Sequence, residues 1–327
     1  MRPSASFAPS ASSPGVDALA ADVRSGLTRA PKQLCPLWLY DALGSSLFEA
    51  ICLLPWYSIT RAETRLLERL APEIAQRLPH VHDFVELGPG SGEKLARLLT
   101  PVLRRGSPVT AHLVDVSSDA LAVAHERLSA LKQVEVVRHL DTFEAGLASI
   151  GPARHGGRLV ALLGSNIGNF DPGPADHLLR AMADALVPGD ACLLGADLVK
   201  PERMLLDAYD DPIGVTAAFN LNLLARLNRE LGATFDLRTF AHEARWVQAE
   251  SRVEMHLVSR RPQVVPIPGA VLDVRFDAGE SIWTESSYKY EIEQLARMGE
   301  RAGLHPTAHW IDEDARFALM LFTRLRR

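Results

Sequence analysis

The chain has 327 residues, 47% hydrophobic and 23% charged, a globular balance that excludes a largely disordered protein. Its 35 Lys and Arg against 40 Asp and Glu leave a formal charge of −5, which argues against a phosphate-backbone binder. Cys35, Cys52 and Cys192 are too few and too scattered for a disulfide framework or a zinc site, and no metal is expected.

The N-terminal stretch is rich in Ser, Ala and Pro and has no continuous apolar segment like that of a signal peptide, so residues 1–24 are expected to be a disordered tail. Apolar residues at helical spacing recur from Leu34 to Leu54, broken at Pro55. Thr60 followed by Glu63 has the spacing of a capping box, before a helix running from about Arg61 to Leu78. Strands and helices then alternate. Strand runs at Asp83–Leu87, His112–Val116, Val134–Val137, Leu159–Leu163 and Ala191–Ala196 are separated by helical stretches at 94–99, 118–131 and 175–186. Short apolar strands buried on both faces between helices predict an α/β fold, a Rossmann-like doubly wound parallel sheet.

After Lys200 the rhythm fails. Helical stretches at 203–209 and 215–231 precede strand-like runs at 234–240, 245–249, 252–261 and 271–276. A helix at 290–302 and strands at 305–311 and 317–322 close the chain. The simplest account is an α+β insertion within the parallel-sheet domain. The expected domains are 61–198 with 288–327, and 25–60 with 199–287.

The loop Gly88-Pro89-Gly90-Ser91-Gly92 follows a strand and opens a helix, where glycines let the backbone turn tightly beside a nucleotide-like ligand. Its spacing is not the G-x-G-x-x-G of dinucleotide sites. Asp115, at the end of the next strand, suits two ribose hydroxyls. Together they indicate an adenosine ligand without choosing between NAD and S-adenosylmethionine.

A longer series of segments makes that choice. Leu37-Trp38-Leu39-Tyr40-Asp41-Ala42-Leu43-Gly44-Ser45, Thr60-Arg61-Ala62-Glu63, the glycine loop, Gly164-Ser165-Asn166-Ile167-Gly168-Asn169-Phe170, Ala208-Tyr209-Asp210-Asp211 and Thr284-Glu285-Ser286-Ser287-Tyr288-Lys289-Tyr290 stand in that order. In these the chain resembles the S-adenosylmethionine-dependent L-histidine Nα-methyltransferases of ergothioneine biosynthesis. The resemblance spans roughly residues 34 to 324 and implies a class I methyltransferase core with an inserted substrate-binding domain. It also implies three methylations of the α-amine, giving hercynine. By position, Gly88, Gly90, Gly92, Lys94 and Asp115 are implied to line the cofactor site. Near the adenine the family has an Asp-Phe pair where this chain reads Asp141-Thr142-Phe143, so either Asp141 or Thr142 takes the acid's place.

For the substrate, the resemblance implies Asn169 and Tyr40 at the reacting end, Tyr57 and Tyr209 at the carboxylate, and Gly164 beside them. Glu285 and Ser287 are implied for the imidazole nitrogens, with Met255 and Phe48 as apolar walls. Two departures from the family pattern are Ser58-Ile59, in place of a Tyr-Pro pair, and Asn166, in place of Thr. The nearest rival reading is the same chemistry on another amino acid or a histidine derivative, and the remoter ones are an NAD(P)-dependent oxidoreductase and a non-catalytic adenosine-binding module. The expected partner is a small amino acid, L-histidine, with no nucleic acid and no membrane, and the chain is expected to act as a cytoplasmic monomer.

Overall fold

The computed structural model describes residues 15–153 and 156–325. In chain order the elements begin with α1 (Val16–Thr28), β1 (Lys32–Gln33), α2 (Ala42–Leu53), α3 (Ile59–Arg77), β2 (Val81–Leu87), α4 (Glu93–Leu103), β3 (Val109–Asp115) and α5 (Ser118–Ser129). There follow β4 (Val134–Leu140), α6 (Phe143–Ser149), β5 (Gly157–Leu162), α7 (Pro172–Asp184), β6 (Ala191–Asp197), α8 (Glu202–Tyr209), α9 (Val215–Leu231) and β7 (Phe240–Val247). The last are β8 (Arg252–Ser259), β9 (Gln263–Ile267), β10 (Leu272–Phe276), β11 (Ser281–Tyr288), α10 (Ile292–Arg301), β12 (Leu304–Asp312) and β13 (Phe317–Arg324). These residues divide into two compact units, one of Arg61–Val199 with 290–325, the other of 15–60 with Lys200–Lys289.

The first unit is built on a seven-stranded sheet of order β12-β13-β6-β5-β2-β3-β4. Its five central and edge strands β6, β5, β2, β3 and β4 are parallel, whereas β13 runs antiparallel to both β6 and β12. The sheet is therefore mixed, because β12 and β13 form a hairpin and need no helical crossover. β5 and β6 are buried along their whole lengths, as strands covered on both faces require. Edge strand β4 alternates between half-buried and exposed residues. Strand order reverses between β2 and β5, whose C-terminal ends lie in register at Leu87 and Leu162. Open α/β sheets place their ligands at such a crevice.

The second unit holds a four-stranded sheet, β1-β11-β8-β7, and the hairpin β9-β10. β1 joins β11 in parallel register, Lys32 opposite Ile282. The expected tail to residue 24 is corrected, since Leu19, Val23 and Leu27 recur every four residues and bury one stripe of α1. The part of that expectation covering residues 1–14 lies outside the described residues. The strand expected at 234–240 is also corrected. Asp236 Oδ1 accepts from the Arg238 N–H at 3.2 Å, capping a 3-10 turn at Leu237–Thr239, and the strand starts at Phe240. Among the described residues no helix is long and apolar enough to cross a membrane.

Candidate active site

In the first unit, the glycine loop and the turn after β5 meet at the crevice. Gly88, Gly90 and Gly92 have φ of +69°, +52° and +72°, the left-handed region that glycine enters without strain. A Cβ at Gly88 would lie 2.8 Å from Asn166 Nδ2 and 3.4 Å from the Phe143 ring, so a larger residue there would push Asn166 aside and strain the backbone. Gly92 is the N-cap of α4, and Lys94 in the first turn pairs with Glu63 at 2.5 Å. Both oxygens of Glu63 also accept from the Gly164 N–H at 2.8 Å. Glu63 is fully buried, and its carboxylate is committed to Gly164 and Lys94, so the capping-box reading of Thr60 and Glu63 is corrected.

Asp115 ends β3 with Oδ1 accepting from the Ser117 N–H at 2.8 Å. Burial raises its pKa, and backbone N–H groups of Ser117 and Val116 counter that. Asp141 Oδ1 accepts from the Thr142 N–H at 2.8 Å, while Thr142 Oγ1 caps α6 by accepting from Ala145 N–H at 3.3 Å. The Phe143 ring centroid lies 6.3 Å from that of Phe170. Asn169 closes the 3-10 turn after β5 and is exposed. Ser165 in the same turn is a non-glycine residue at φ +58°.

In the second unit, β11 pairs with β8 so that Glu285 stands opposite Met255, after a register shift between Trp283 and Glu285. Glu285 and Ser287, two residues apart, share a face of β11, and Ser287, Tyr209 and Met255 are all buried. Tyr40 Oη donates to Glu285 Oε1 at 3.5 Å. Burial raises the Glu285 pKa to about 7, with the Lys289 charge and the Tyr40 hydrogen bond acting the other way. Burial and then the Glu285 charge hold the Tyr40 hydroxyl well above its ordinary pKa. Tyr209, at the end of α8, donates to Ser287 Oγ at 2.7 Å. Edge-on ring contacts run in series, Tyr209 to Tyr57 at 6.2 Å, Tyr57 to Phe48 at 6.2 Å and Phe48 to Tyr40 at 5.6 Å. Of the substrate residues implied from sequence, Tyr40, Phe48, Tyr57, Tyr209, Met255, Glu285 and Ser287 thus belong to one unit, and Gly164 and Asn169 to the other.

Residues 19–324 match the family described as histidine-specific methyltransferase, SAM-dependent. The chain belongs to this family. It is an S-adenosylmethionine-dependent methyltransferase. The "Histidine N-alpha-methyltransferase" of Mycobacterium tuberculosis strain CDC 1551 is 43% identical over 309 residues, covering 93% of this chain and 94% of that one. The protein of the same name from Mycolicibacterium smegmatis is 43% identical over 314 residues, 94% of this chain and 95% of the relative. "Ergothioneine biosynthesis protein 1" of Neurospora crassa is 28% identical over 289 residues, 86% of this chain but 32% of that longer protein.

The first unit of this methyltransferase fits its cofactor. Both carboxylate oxygens of Glu86 are buried without a hydrogen-bond partner at the end of β2, and burial raises the pKa to about 8. An unpartnered acid beside a glycine turn suits a ligand that brings its own cationic amine. A Cβ at Gly90 would point into open space, which leaves the loop's outer side clear.

Four residues were missed from sequence, the first being Glu86, which read only as part of a strand. Glu63 looked like a cap because its spacing from Thr60 is the capping-box spacing, and only the fold brings Gly164 to it. Phe219 of α9 is buried with its ring 5.5 Å from Tyr40 and 6.1 Å from Phe48. Its apolar spacing was indistinguishable from that of a core position. Lys289 lies in a segment that carried the family resemblance, yet a lysine after a strand ordinarily reads as a solvated charge.

Proposed function

We propose that this enzyme transfers three methyl groups in succession to the α-amine of L-histidine, giving hercynine for ergothioneine biosynthesis. The observation that carries the choice of histidine is the polar pair Glu285 and Ser287 on one face of β11, with Met255 opposite and a wall of aromatic rings beside them. An imidazole differs from other aromatic side chains chiefly in its two nitrogens, and one carboxylate with one hydroxyl provides a partner for each. Two relatives carrying the histidine methyltransferase name at 43% identity support the same substrate.

In the first unit Gly88, Gly90 and Gly92 give the cofactor close approach to the backbone, and Asp115 takes the ribose hydroxyls. Glu86 faces the cationic amine of the methionine end, with Lys94 held in place by Glu63. Because Thr142 is spent on capping α6, Asp141 is the acid for the adenine and Phe143 the ring beside it. Asn169 and Gly164 stand at the turn after β5 in this unit's crevice. In the second unit Tyr57 serves the carboxylate end, Tyr40 donates to Glu285, Tyr209 supports Ser287 rather than the carboxylate, and Met255 and Phe48 are apolar walls.

Bound S-adenosylmethionine supplies an electrophilic methyl on a sulfonium sulfur, and each transfer releases one proton from the accepting amine. The chain's own residues hold and orient the amino acid, which for this chemistry contributes more than a strong acid would. The test is mass spectrometry after incubation with S-adenosylmethionine and a mixture of the common amino acids. One, two and three methyl groups on histidine alone are expected. Methylation of a different amino acid, with histidine untouched, overturns the reading.

A further inference from the structure

Lys289 follows directly on β11 and is 1% exposed. Its ammonium Nζ donates to Tyr209 Oη at 2.8 Å and to Ser287 Oγ at 2.9 Å, and those two oxygens are 2.7 Å apart. It also lies 4.7 Å from the centroid of the Tyr209 ring. An ammonium has three donors and no acceptor, so both oxygens must accept from it. The Tyr209 hydroxyl gives its own proton to Ser287 Oγ. Ser287 Oγ therefore accepts twice, which uses both lone pairs, and its own O–H is the capacity that is left. Two residues earlier on the same face, the Glu285 carboxylate, once ionised above about pH 7, has the opposite character and can only accept.

We propose that Lys289 is a positioning residue that locks Ser287 as a hydrogen-bond donor, so that the side-chain pocket reads one ring N–H through Glu285 and one bare ring nitrogen through Ser287. The inference rests on the assignment of Glu285 and Ser287 to the imidazole of histidine. It makes the pocket selective for a neutral five-membered ring that carries one nitrogen of each kind. A ring presenting a second N–H to Ser287 would set donor against donor in a buried place, and such an unsatisfied pair is costly. Replacing the ammonium by an uncharged side chain returns a lone pair to Ser287 and removes that discrimination.

The test measures Kd by calorimetry, with saturating S-adenosylhomocysteine in every arm, for L-histidine, β-(pyrrol-2-yl)-L-alanine and β-(pyrrol-3-yl)-L-alanine. Each pyrrole isomer carries one ring N–H and no bare nitrogen, at one or the other of the two imidazole nitrogen positions. In the wild type, the isomer that turns its N–H toward Ser287 should bind at least about tenfold more weakly than the other. In Lys289→Met that gap should narrow to within about threefold, because Ser287 can then accept. Tyr209→Phe frees the other lone pair of Ser287 and should narrow the gap in the same way, which decides the matter where Lys289→Met does not fold. A role in packing alone would weaken all three ligands alike and leave the gap intact, and that result overturns the proposal. Equal binding of the two isomers by the wild type overturns it as well. Absence of histidine binding by the wild type refutes the substrate reading and this proposal with it, whereas histidine binding with an unchanged gap refutes this proposal alone.

Discussion

Glu285→Gln and Glu285→Ala separate what the carboxylate does for the substrate from what its burial does to the fold. Glu285 is 8% exposed, and burial raises its pKa from 4.5 to about 7. An acid whose folded pKa lies above its unfolded value holds its proton more tightly in the folded state. It therefore lowers stability as pH rises from about 4.5 to about 7, and the whole loss is present above that window. At about 1.4 kcal/mol for each pH unit in the window, the deficit reaches roughly 3 kcal/mol, an upper bound for one buried acid. Gln resembles the protonated acid in shape and charge. Glu285→Gln should thus match the wild type near pH 4.5 and exceed its stability by up to about 3 kcal/mol near pH 8. Histidine turnover should move in the opposite direction. A hydrogen bond to a charged group contributes about 1.5–3 kcal/mol, so Glu285→Ala should lower kcat/KM for histidine roughly 10- to 150-fold. Removing the carboxylate also removes the penalty of burying it against an indole or phenyl ring, and the preference should shift toward tryptophan or phenylalanine. Urea unfolding of the ligand-free protein across this pH range reads the first effect, and competition between histidine and tryptophan reads the second. Equal stability of Glu285→Gln and wild type near pH 8 would refute the burial argument, and an unchanged histidine-to-tryptophan preference in Glu285→Ala would refute the role as imidazole reader.

Glu63→Gln should destabilise the ligand-free protein by about 2–4 kcal/mol, because it removes one partner of a pair with Lys94, whose side chain is 25% exposed and so partly screened. Urea unfolding checks this, and a change below about 0.5 kcal/mol would mean that Gly164 and Lys94 need no carboxylate between them. Glu86→Gln should weaken S-adenosylmethionine binding in a calorimetric titration, while its ligand-free stability should exceed that of the wild type by a margin that grows from about pH 4.5 to about pH 8, since burial holds the Glu86 pKa at about 8. Unchanged cofactor affinity would remove Glu86 from the methionine end of the site. The first methylation should quicken as pH rises from about 7 to about 9, because only the neutral amine has a lone pair to offer. A flat profile in single-turnover measurements would reveal a base among the residues around the amine.

Much of the architecture follows from local pattern. The runs that became β2, β3, β5 and β6 are short, apolar and separated by helical spacing, and that alternation specifies a doubly wound sheet before any contact is known. The glycine loop could be read for the same reason, since its conformation depends on residues adjacent in the chain: Gly88 and Gly92 take positive φ where the strand turns into the helix. The place of Asp115 at the end of β3 followed from the same local rule. Where local pattern was ambiguous the reading went wrong. The 3-10 turn at Leu237–Thr239 rests on a single hydrogen-bonding aspartate, and the helix at Val16–Thr28 on a stripe of Leu19, Val23 and Leu27 within an otherwise tail-like composition.

The polar partners were decided elsewhere. Glu63 and Gly164 are 101 residues apart in sequence and 2.8 Å apart in space; Lys289 and Tyr209 are separated by 80 residues and likewise by 2.8 Å. Hydrophobic periodicity reports which side of an element is buried, and it is blind to which polar group a buried side chain meets there. A carboxylate or an ammonium in a sequence reads as a solvated charge by default, because that is where most of them are. Once burial strips away the water, each such group must find a partner or shift its pKa, and the partner it finds depends on the packing of distant elements. For that reason the turn of the glycine loop could be read along the chain, whereas the polar partners of Ser287 and the burial that raises the pKa of Glu285 came only from what the tertiary structure packed around them.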